Sequence, residues 1–178
     1  VDESVPALDH IHLPNGELAL RALPTTPYNH YSGGRPIWNS EMPTKTLAEK
    51  LKMKPGMQVL ILNAPDGFIE QLGPLPDKVE VVNEADGDFE AESFDMVHLF
   101  AKSISELERL AQKAISALKY DKLLWISYPK ISGKIDTDIN RDKGWDVVTN
   151  AGLKGVAQVS IDDTWSALRF RPQAQVGK

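Results

Sequence analysis

Blocks of apolar residues alternate with polar segments from Thr46 onward, and their spacing switches between strand and helix periods. Short apolar runs predict strands over 58–62, 79–82, 94–100, 122–128, 156–161 and 165–171. Apolar positions at helical spacing predict helices over 47–51, 68–72, 104–118 and 138–153. Ser/Thr-x-x-Glu capping boxes at Thr46 and Ser103 open two of these helices. Strands that alternate with helices form a parallel sheet with right-handed crossovers.

The last two predicted strands break this parallel pattern. Only Asp162-Asp163-Thr164 separates them, which is too short for a crossover helix, so the two strands must be antiparallel. The helix before them is predicted to bury Trp145 and Val148 and to end at Gly152 or Gly155. We therefore predict an α/β, Rossmann-like protein with a mostly parallel sheet, helices on both faces and a C-terminal antiparallel β-hairpin.

The first 41 residues lack this alternation and are rich in Pro, Asn, His and Tyr. Within them, Asn15-Gly16 lies between two short apolar segments and predicts a β-hairpin, because both turn positions need positive φ. Residues 24–36 have the composition of an extended arm. We divide the chain into an N-terminal arm (1–41), an α/β domain (42–172) and a short tail (173–178).

Side chains of the arm suggest two uses. Aromatic anchors in an extended arm suit strand addition or subunit wrapping, and predict self-association through Tyr28, His30, Tyr31 and Trp38. His10 and His12 would point the same way on a strand, but a metal would need a third ligand from His30 or a partner chain. Adventitious spacing is the favoured interpretation, and we predict no metal site.

Composition narrows the class of protein. The chain of 178 residues is 42% hydrophobic and 25% charged, which is ordinary for a globular domain. It contains no cysteine, which fits a reducing cytoplasm and excludes thiolate chemistry. The formal net charge of -5 argues against nucleic-acid binding, and no apolar run is long enough to span a membrane.

Four local features resemble the class I methyltransferase scaffold over about three quarters of the chain. They are the Lys54-Pro55-Gly56 entry to the first strand, the acidic Glu84 after the second, the run Phe94-Asp95-Met96-Val97, and the closing hairpin. The resemblance implies a trimmed fold without one strand and one helix between Asn83 and Phe94. It also implies S-adenosylmethionine as a possible cofactor.

A second resemblance is to a family of small bacterial proteins of unknown function. It rests on Leu123 to Lys130, Thr137 to Asp142 and Asp162 to Pro172. This resemblance supports the same fold but implies no activity, and it does not extend to the first 41 residues.

The candidate cofactor residues follow the first two strands of the α/β domain. Asn63-Ala64-Pro65-Asp66-Gly67 occupies the position of a glycine-rich loop, which needs free backbone N–H groups and close approach of the ligand. Only Gly67 meets that need, and Pro65 removes one donor. Asn63, Asp66, Gly67 and Glu84 are cofactor-binding candidates. The alternative is an ordinary turn, with Asp66 as the helix N-cap and Glu84 as a polar strand exit.

Further candidates lie just past the ends of two inner strands. Lys102, Tyr128 and Lys130 could bind an anionic ligand at the edge where open α/β sheets bind ligands. The favoured alternative is a Tyr packed on the rim of the sheet and two solvated lysines. No catalytic residue is assigned.

Other polar groups are interpreted as structural. A charged cluster is predicted to open the 138–153 helix: Asp136, Asp138, Arg141 and Asp142. Asp162 and Asp163 fit a hairpin turn. His98 is expected to be a satisfied core histidine, and neither Ser127 nor Ser132 has a base predicted beside it, so a hydrolase triad finds no support.

Three functions remain open from the sequence. The first is a non-catalytic or altered-ligand methyltransferase-like domain that binds a small molecule or a partner. The second is an active S-adenosylmethionine-dependent methyltransferase. The third is an assembly role for the N-terminal arm.

Overall fold

The computed structural model describes residues 8–12, 18–22, 44–84 and 87–178, and the chain forms two compact units, 1–42 and 43–178. In the first unit, β1 (Leu8–His12) pairs with β2 (Leu18–Ala22) in an antiparallel ladder running from Leu8 opposite Ala22 to His12 opposite Leu18. The predicted hairpin is therefore confirmed. The turn residues Asn15-Gly16 and the arm anchors lie outside the described residues: Tyr28, His30, Tyr31 and Trp38.

The second unit contains a six-stranded sheet. Its strands are β3 (Gln58–Leu62), β4 (Glu80–Glu84), β5 (Phe94–Phe100), β6 (Leu118–Pro129), β7 (Leu153–Ser160) and β8 (Trp165–Pro172). The helices are α1 (Leu47–Lys50), α2 (Phe68–Gln71), α3 (Ile104–Ala117) and α4 (Asp146–Asn150). A single 3-10 turn, Gln173–Gln175, follows β8.

The strand order of this sheet is β4-β3-β5-β6-β8-β7. Neighbouring strands from β4 to β6 are parallel, whereas β8 is antiparallel to both β6 and β7. The closing hairpin is thus confirmed, with its last strand inserted beside β6. Between Glu84 and Phe94, the described residues 87–93 contain no helix or strand, in agreement with the predicted omission.

Helices cover both faces of the sheet, as predicted. One hydrophobic core lies under α3 and α4, where buried residues of α3 cluster with Leu124, Ile126 and Tyr128 of β6. The other lies under α1 and α2, where the fully buried Trp125 donates from Nε1 to the carbonyl of Leu51 at 3.0 Å. Among the described residues, no helix is long and apolar enough to cross a membrane.

The predicted long helix over 138–153 is wrong. Only Asp146–Asn150 is helical, and the chain before it is held by an isolated bridge between Asn140 and Lys143. Thr137 Oγ1 accepts from the N–H of Ile139 at 3.1 Å, and Asn140 Oδ1 accepts from the N–H of Asp142 at 2.8 Å. Such local side-chain bonds compete with helix formation. Burial of Trp145 and Val148 was nevertheless predicted correctly.

Candidate functional site

The cofactor candidates lie together at the carboxyl edge of the sheet. Leu62 at the end of β3 pairs with Glu84 at the end of the edge strand β4, so the loop after β3 lies beside Glu84. Asp66, Gly67 and Glu84 are exposed, and Asn63 is partly buried. This is the edge at which open α/β sheets bind ligands.

Asn63 ties the ends of three strands together at this edge. Its backbone N–H donates to the carbonyl of Glu84 at 3.0 Å, and its side-chain Nδ2 donates to the carbonyl of Phe100 at 2.9 Å. The backbone of Asn63 adopts a φ of 57°, a left-handed conformation that Asn tolerates better than most residues. Two donors of Asn63 are therefore used inside the protein.

The rest of the loop offers few donors to a ligand. Pro65 has no N–H, and the N–H of Phe68 turns back to the carbonyl of Pro65 at 3.2 Å. With Asn63, three of the six residues from Asn63 to Phe68 have no free N–H. The following helix α2 has only 4 residues, so it provides little of the dipole on which anion sites at helix N-termini depend.

Asp66 is not the N-cap of α2, contrary to the predicted alternative. Gly67 occupies that position at φ 77°, and no side-chain hydrogen bond caps the helix. The reason is conformational: the left-handed turn at Gly67 separates Asp66 from the first helical residue. A Cβ built on Gly67 would meet nothing within 4 Å, so glycine serves the turn rather than a close protein contact.

Tyr128 and Lys130 are brought together in the wall of a cavity of about 460 Å³ at the carboxyl end of β6. The remaining wall residues come from the loop after β6, the Asn140–Arg141 segment and the hairpin: Ile131, Ser132, Asn140, Arg141, Gln158 and Ser166. Lys102 is exposed and does not line this cavity. The three predicted ligand candidates therefore do not form one group.

The Tyr128 hydroxyl has two polar side chains as neighbours. Gln158 Nε2 donates to the Tyr128 oxygen at 3.2 Å, and the Ser166 hydroxyl also lies within hydrogen-bonding range. Burial raises the pKa of Tyr128 above its ordinary value of 10, so the hydroxyl stays protonated at neutral pH. Tyr128 is thus a buried phenol whose proton can be donated to Ser166 or to a group in the cavity.

Lys130 holds the hairpin rather than pointing freely into solvent. Its Nζ donates to Ser160 Oγ at 2.9 Å and to the carbonyl of Asp162. Asp162 Oδ1 in turn accepts from the backbone N–H groups of Thr164 at 2.7 Å and Trp165 at 2.8 Å. The predicted turn role of Asp162 is confirmed, and Lys130 fixes the same turn to the end of β6.

The prediction that no base lies beside Ser127 is wrong. Ser127 Oγ is 2.7 Å from His98 Nε2, and both residues are fully buried. The register between β5 and β6 makes this contact, and two residues 29 positions apart gave no local signal for it. Phe68 and Phe100 pack on the His98 ring, so the pair lies in the core under α2, away from the described cavities.

His98 is also less well satisfied than predicted. Its Nδ1 is buried with no hydrogen-bond partner, and burial lowers the pKa of His98 to about 3. A neutral imidazole in an apolar core is the expected response to desolvation. The Ser–His pair is therefore a core feature that destabilises the folded protein at low pH.

The charged cluster around Asp138 does not open a helix of its own. Asp138 Oδ1 instead accepts from the N–H of Ile104 at 2.7 Å, at the start of α3. Ser103 Oγ accepts from the N–H of Glu106 at 3.2 Å, as predicted, but the Glu106 carboxylate accepts from Lys102 N–H at 2.7 Å rather than from the cap residue. These bonds occupy the N-terminus of α3.

Gly144 fixes the conformation of the segment that carries Asn140 and Arg141, and its replacement should destabilise the protein. Gly144 has a φ of 100°, and a Cβ there would lie 3.1 Å from Ile104 and 3.2 Å from Ile139. Gly152 has a φ of 81° with nothing within 4 Å, so Gly152→Ala is a matched control for strain alone. We expect Gly144→Ala to cost about 1 kcal/mol more than Gly152→Ala. Equal free energies of unfolding in urea for the Gly144→Ala and Gly152→Ala variants would contradict the crowding at Gly144.

Among the described residues, no group of three His, Asp or Glu side chains is placed to hold a metal ion. The side chains of His10 and His12 are outside that description, so their interpretation as adventitious stays a prediction.

Comparisons with solved structures show which known fold this architecture shares. The chain is similar to a possible exported protein from Bordetella parapertussis, with 11% identity and a TM-score of 0.51 over 71% of this chain and 66% of that one, slightly less than two thirds of its length. It is also similar to a chain of the complex between the Haloferax volcanii Trm112 methyltransferase activator and the putative methyltransferase. That match has 13% identity and a TM-score of 0.50 over 71% and 89% of the two chains.

A third similar structure is a SAM-dependent methyltransferase from Aquifex aeolicus, with 14% identity and a TM-score of 0.46 over 70% and 86% of the chains. No protein-family model matches the sequence, and no curated protein is significantly similar to it. The fold is Rossmann-like and methyltransferase-like, as the sequence predicted. At these identities the similarity shows the fold alone.

Proposed function

We propose that this chain is a methyltransferase-like domain that binds a small molecule in the Tyr128 cavity and does not transfer methyl groups from S-adenosylmethionine. The observation that supports this most directly is the Asn63 clamp, which joins β3 to the ends of β4 and β5 where the cofactor would lie. The four-residue α2 and the few free donors of its loop point the same way.

The location of the cavity supports the binding of a small molecule. Ligand sites in proteins are concave, with a few converging polar groups on an otherwise apolar wall. The open cavity of about 460 Å³ beside Tyr128 brings several polar groups together and lies at the same carboxyl edge, displaced from β3 to β6. We also propose that the chain belongs to the family of small bacterial proteins of unknown function that its sequence resembles. That resemblance implies no activity that would compete with ligand binding.

Calorimetric titration with S-adenosylmethionine and S-adenosylhomocysteine tests the proposal against an active methyltransferase. We expect no saturable binding at millimolar ligand, because Asn63 joins the strand ends where the cofactor would lie and three of the six loop residues have no free N–H. Micromolar binding that is abolished by Gly67→Trp would overturn the proposal. Gly56→Trp is the matched control, because Gly56 has nearly the same φ, 76° against 77°, and equally open space, but precedes β3.

An assembly role for the N-terminal arm stays a prediction. Light scattering of the full chain and of a chain beginning at Met42 would test it, since an unchanged oligomeric state after deletion would eliminate self-association through the arm.

A further inference from the structure

A second cavity adjoins the Tyr128 cavity on the α4 face of the hairpin. It has a volume of about 380 Å³ and an apolar wall that includes Trp145, Val156, Leu168 and Phe170. Arg141 and Gln158 line both cavities, so the two spaces share a border. The short α4 has only 5 residues and leaves this part of β7 and β8 uncovered. The shared groove is thus polar at one end and apolar at the other.

Charges of both signs act at the polar end of this groove, where Asp142 contributes to the raised pKa of Tyr128. The charged residues in the walls of the two cavities are Lys130 and Arg141, both cationic, in a chain whose formal net charge is -5. Lys130 is largely engaged by Ser160 and the Asp162 carbonyl. Arg141 is exposed, and within the described residues its guanidinium forms no ion pair. Its planar fork is therefore the donor best placed to meet a ligand.

The neutral polar side chains at the polar end of the groove also present hydrogen-bond donors. Tyr128 accepts from Gln158, and its own proton can be donated to Ser166 or to a ligand. Asn140 uses its side-chain oxygen to accept from the N–H of Asp142 at 2.8 Å, which leaves its amide nitrogen available. Gln158 keeps its side-chain oxygen as an acceptor, so the guanidinium of Arg141 decides the choice and favours an anionic ligand.

We propose that this groove binds a small monocarboxylate with an aromatic or aliphatic body, its carboxylate on Arg141, Tyr128 and Asn140 and its body over Trp145, Leu168 and Val156. The inference rests on the proposed function and names its ligand class. A carboxylate matches the bidentate guanidinium and the single unengaged cation, whereas a dianionic phosphate would need more positive charge. The apolar end supplies most of the affinity through burial of the ligand body.

Calorimetry and amide chemical-shift mapping with the full chain test this inference, with phenylacetate as the probe. Three other compounds serve as controls. Phenylacetamide lacks the negative charge, phenethylamine carries a positive charge instead, and inorganic phosphate lacks the apolar body. We expect phenylacetate to bind more tightly than each of the other three, with shifts at Arg141, Gln158 and Leu168. Arg141→Gln should weaken phenylacetate about tenfold. Lys143→Gln, which removes a nearby exposed charge outside the cavity walls, should leave affinity unchanged.

The possible failures are distinguishable. Equal binding of phenylacetate, phenylacetamide and phenethylamine in the groove would overturn the carboxylate preference and leave the proposed function standing. If Arg141→Gln and Lys143→Gln weaken phenylacetate binding equally, the effect is one of overall charge, and this result would also overturn the inference. The absence of phenylacetate binding at millimolar concentration would do the same. Binding of S-adenosylhomocysteine with shifts at Gly67 would instead overturn the proposed function.

Discussion

Replacing the buried His98–Ser127 pair with Phe and Ala is expected to remove much of the acid sensitivity of this protein. Between about pH 7 and about pH 4.5, the wild type should lose about 2 to 3 kcal/mol more unfolding free energy than the His98→Phe/Ser127→Ala double variant. Urea denaturation at the two pH values measures both differences. Contributions from the carboxylates cancel in the comparison, because the double variant retains all of them.

The sign follows from the pKa of His98 in the two states. Burial lowers that pKa from 6.5 to about 3, so the folded protein keeps His98 neutral where the unfolded chain protonates it. Between those values the unfolded state binds more protons, and the free energy of unfolding falls as pH falls. The penalty is absent above about pH 6.5 and grows by at most about 1.4 kcal/mol per pH unit below it.

Ser127→Ala alone is the matched control for this prediction. It removes the hydroxyl that lies 2.7 Å from His98 Nε2 but keeps the titrating ring in the core. The acid sensitivity should therefore persist in Ser127→Ala. The double variant also removes the unpartnered Nδ1, so its stability at neutral pH should be close to that of the wild type. A double variant with the same pH dependence as the wild type would show that His98 titrates normally in the folded state.

The strands were predictable because their signals are local. The Gln58–Leu62 and Phe94–Phe100 strands are mostly apolar runs near the turn residues Gly56, Asn63 and Ser93. The short Asp162–Thr164 link forced an antiparallel pair. The 138–153 segment failed because Ile139, Trp145 and Val148 are all buried without forming one helical stripe. Hydrogen bonds from the backbone to the side chains of Thr137 and Asn140 fix the conformation of this segment. The spacing of apolar residues carries no information about such bonds.

The candidate site was predictable in position but not in its contacts. The edge of the sheet followed from strand order, and Asn63, Glu84 and Tyr128 all lie there. The partners of those residues depend on register between distant strands, as with Ser127 beside His98, or on a loop reaching across the sheet, as with Arg141 beside Tyr128. Neither kind of contact leaves a pattern in one sequence.

Asn63→Ala is expected to destabilise the protein by about 2 to 3 kcal/mol, from two separable causes. Alanine at a φ of 57° costs about 1 kcal/mol or more, since its Cβ crowds the backbone in the left-handed region. Loss of Nδ2 also removes the donor to the carbonyl of Phe100, a fully buried residue, which costs about 1 to 2 kcal/mol.

Asn63→Gly separates these causes because glycine adopts the same φ without strain and lacks only the side-chain bond. We expect it to cost about 1 kcal/mol less than Asn63→Ala in urea denaturation. It also tests whether the clamp alone closes the cofactor crevice. If Asn63→Gly still shows no calorimetric binding of S-adenosylhomocysteine, the short α2 and the missing loop donors are sufficient to prevent binding. If the variant binds while the wild type does not, Asn63 is the residue that separates this domain from a cofactor-binding one. If Asn63→Ala is as stable as the wild type, the hydrogen bonds of Asn63 do not hold the strand ends together.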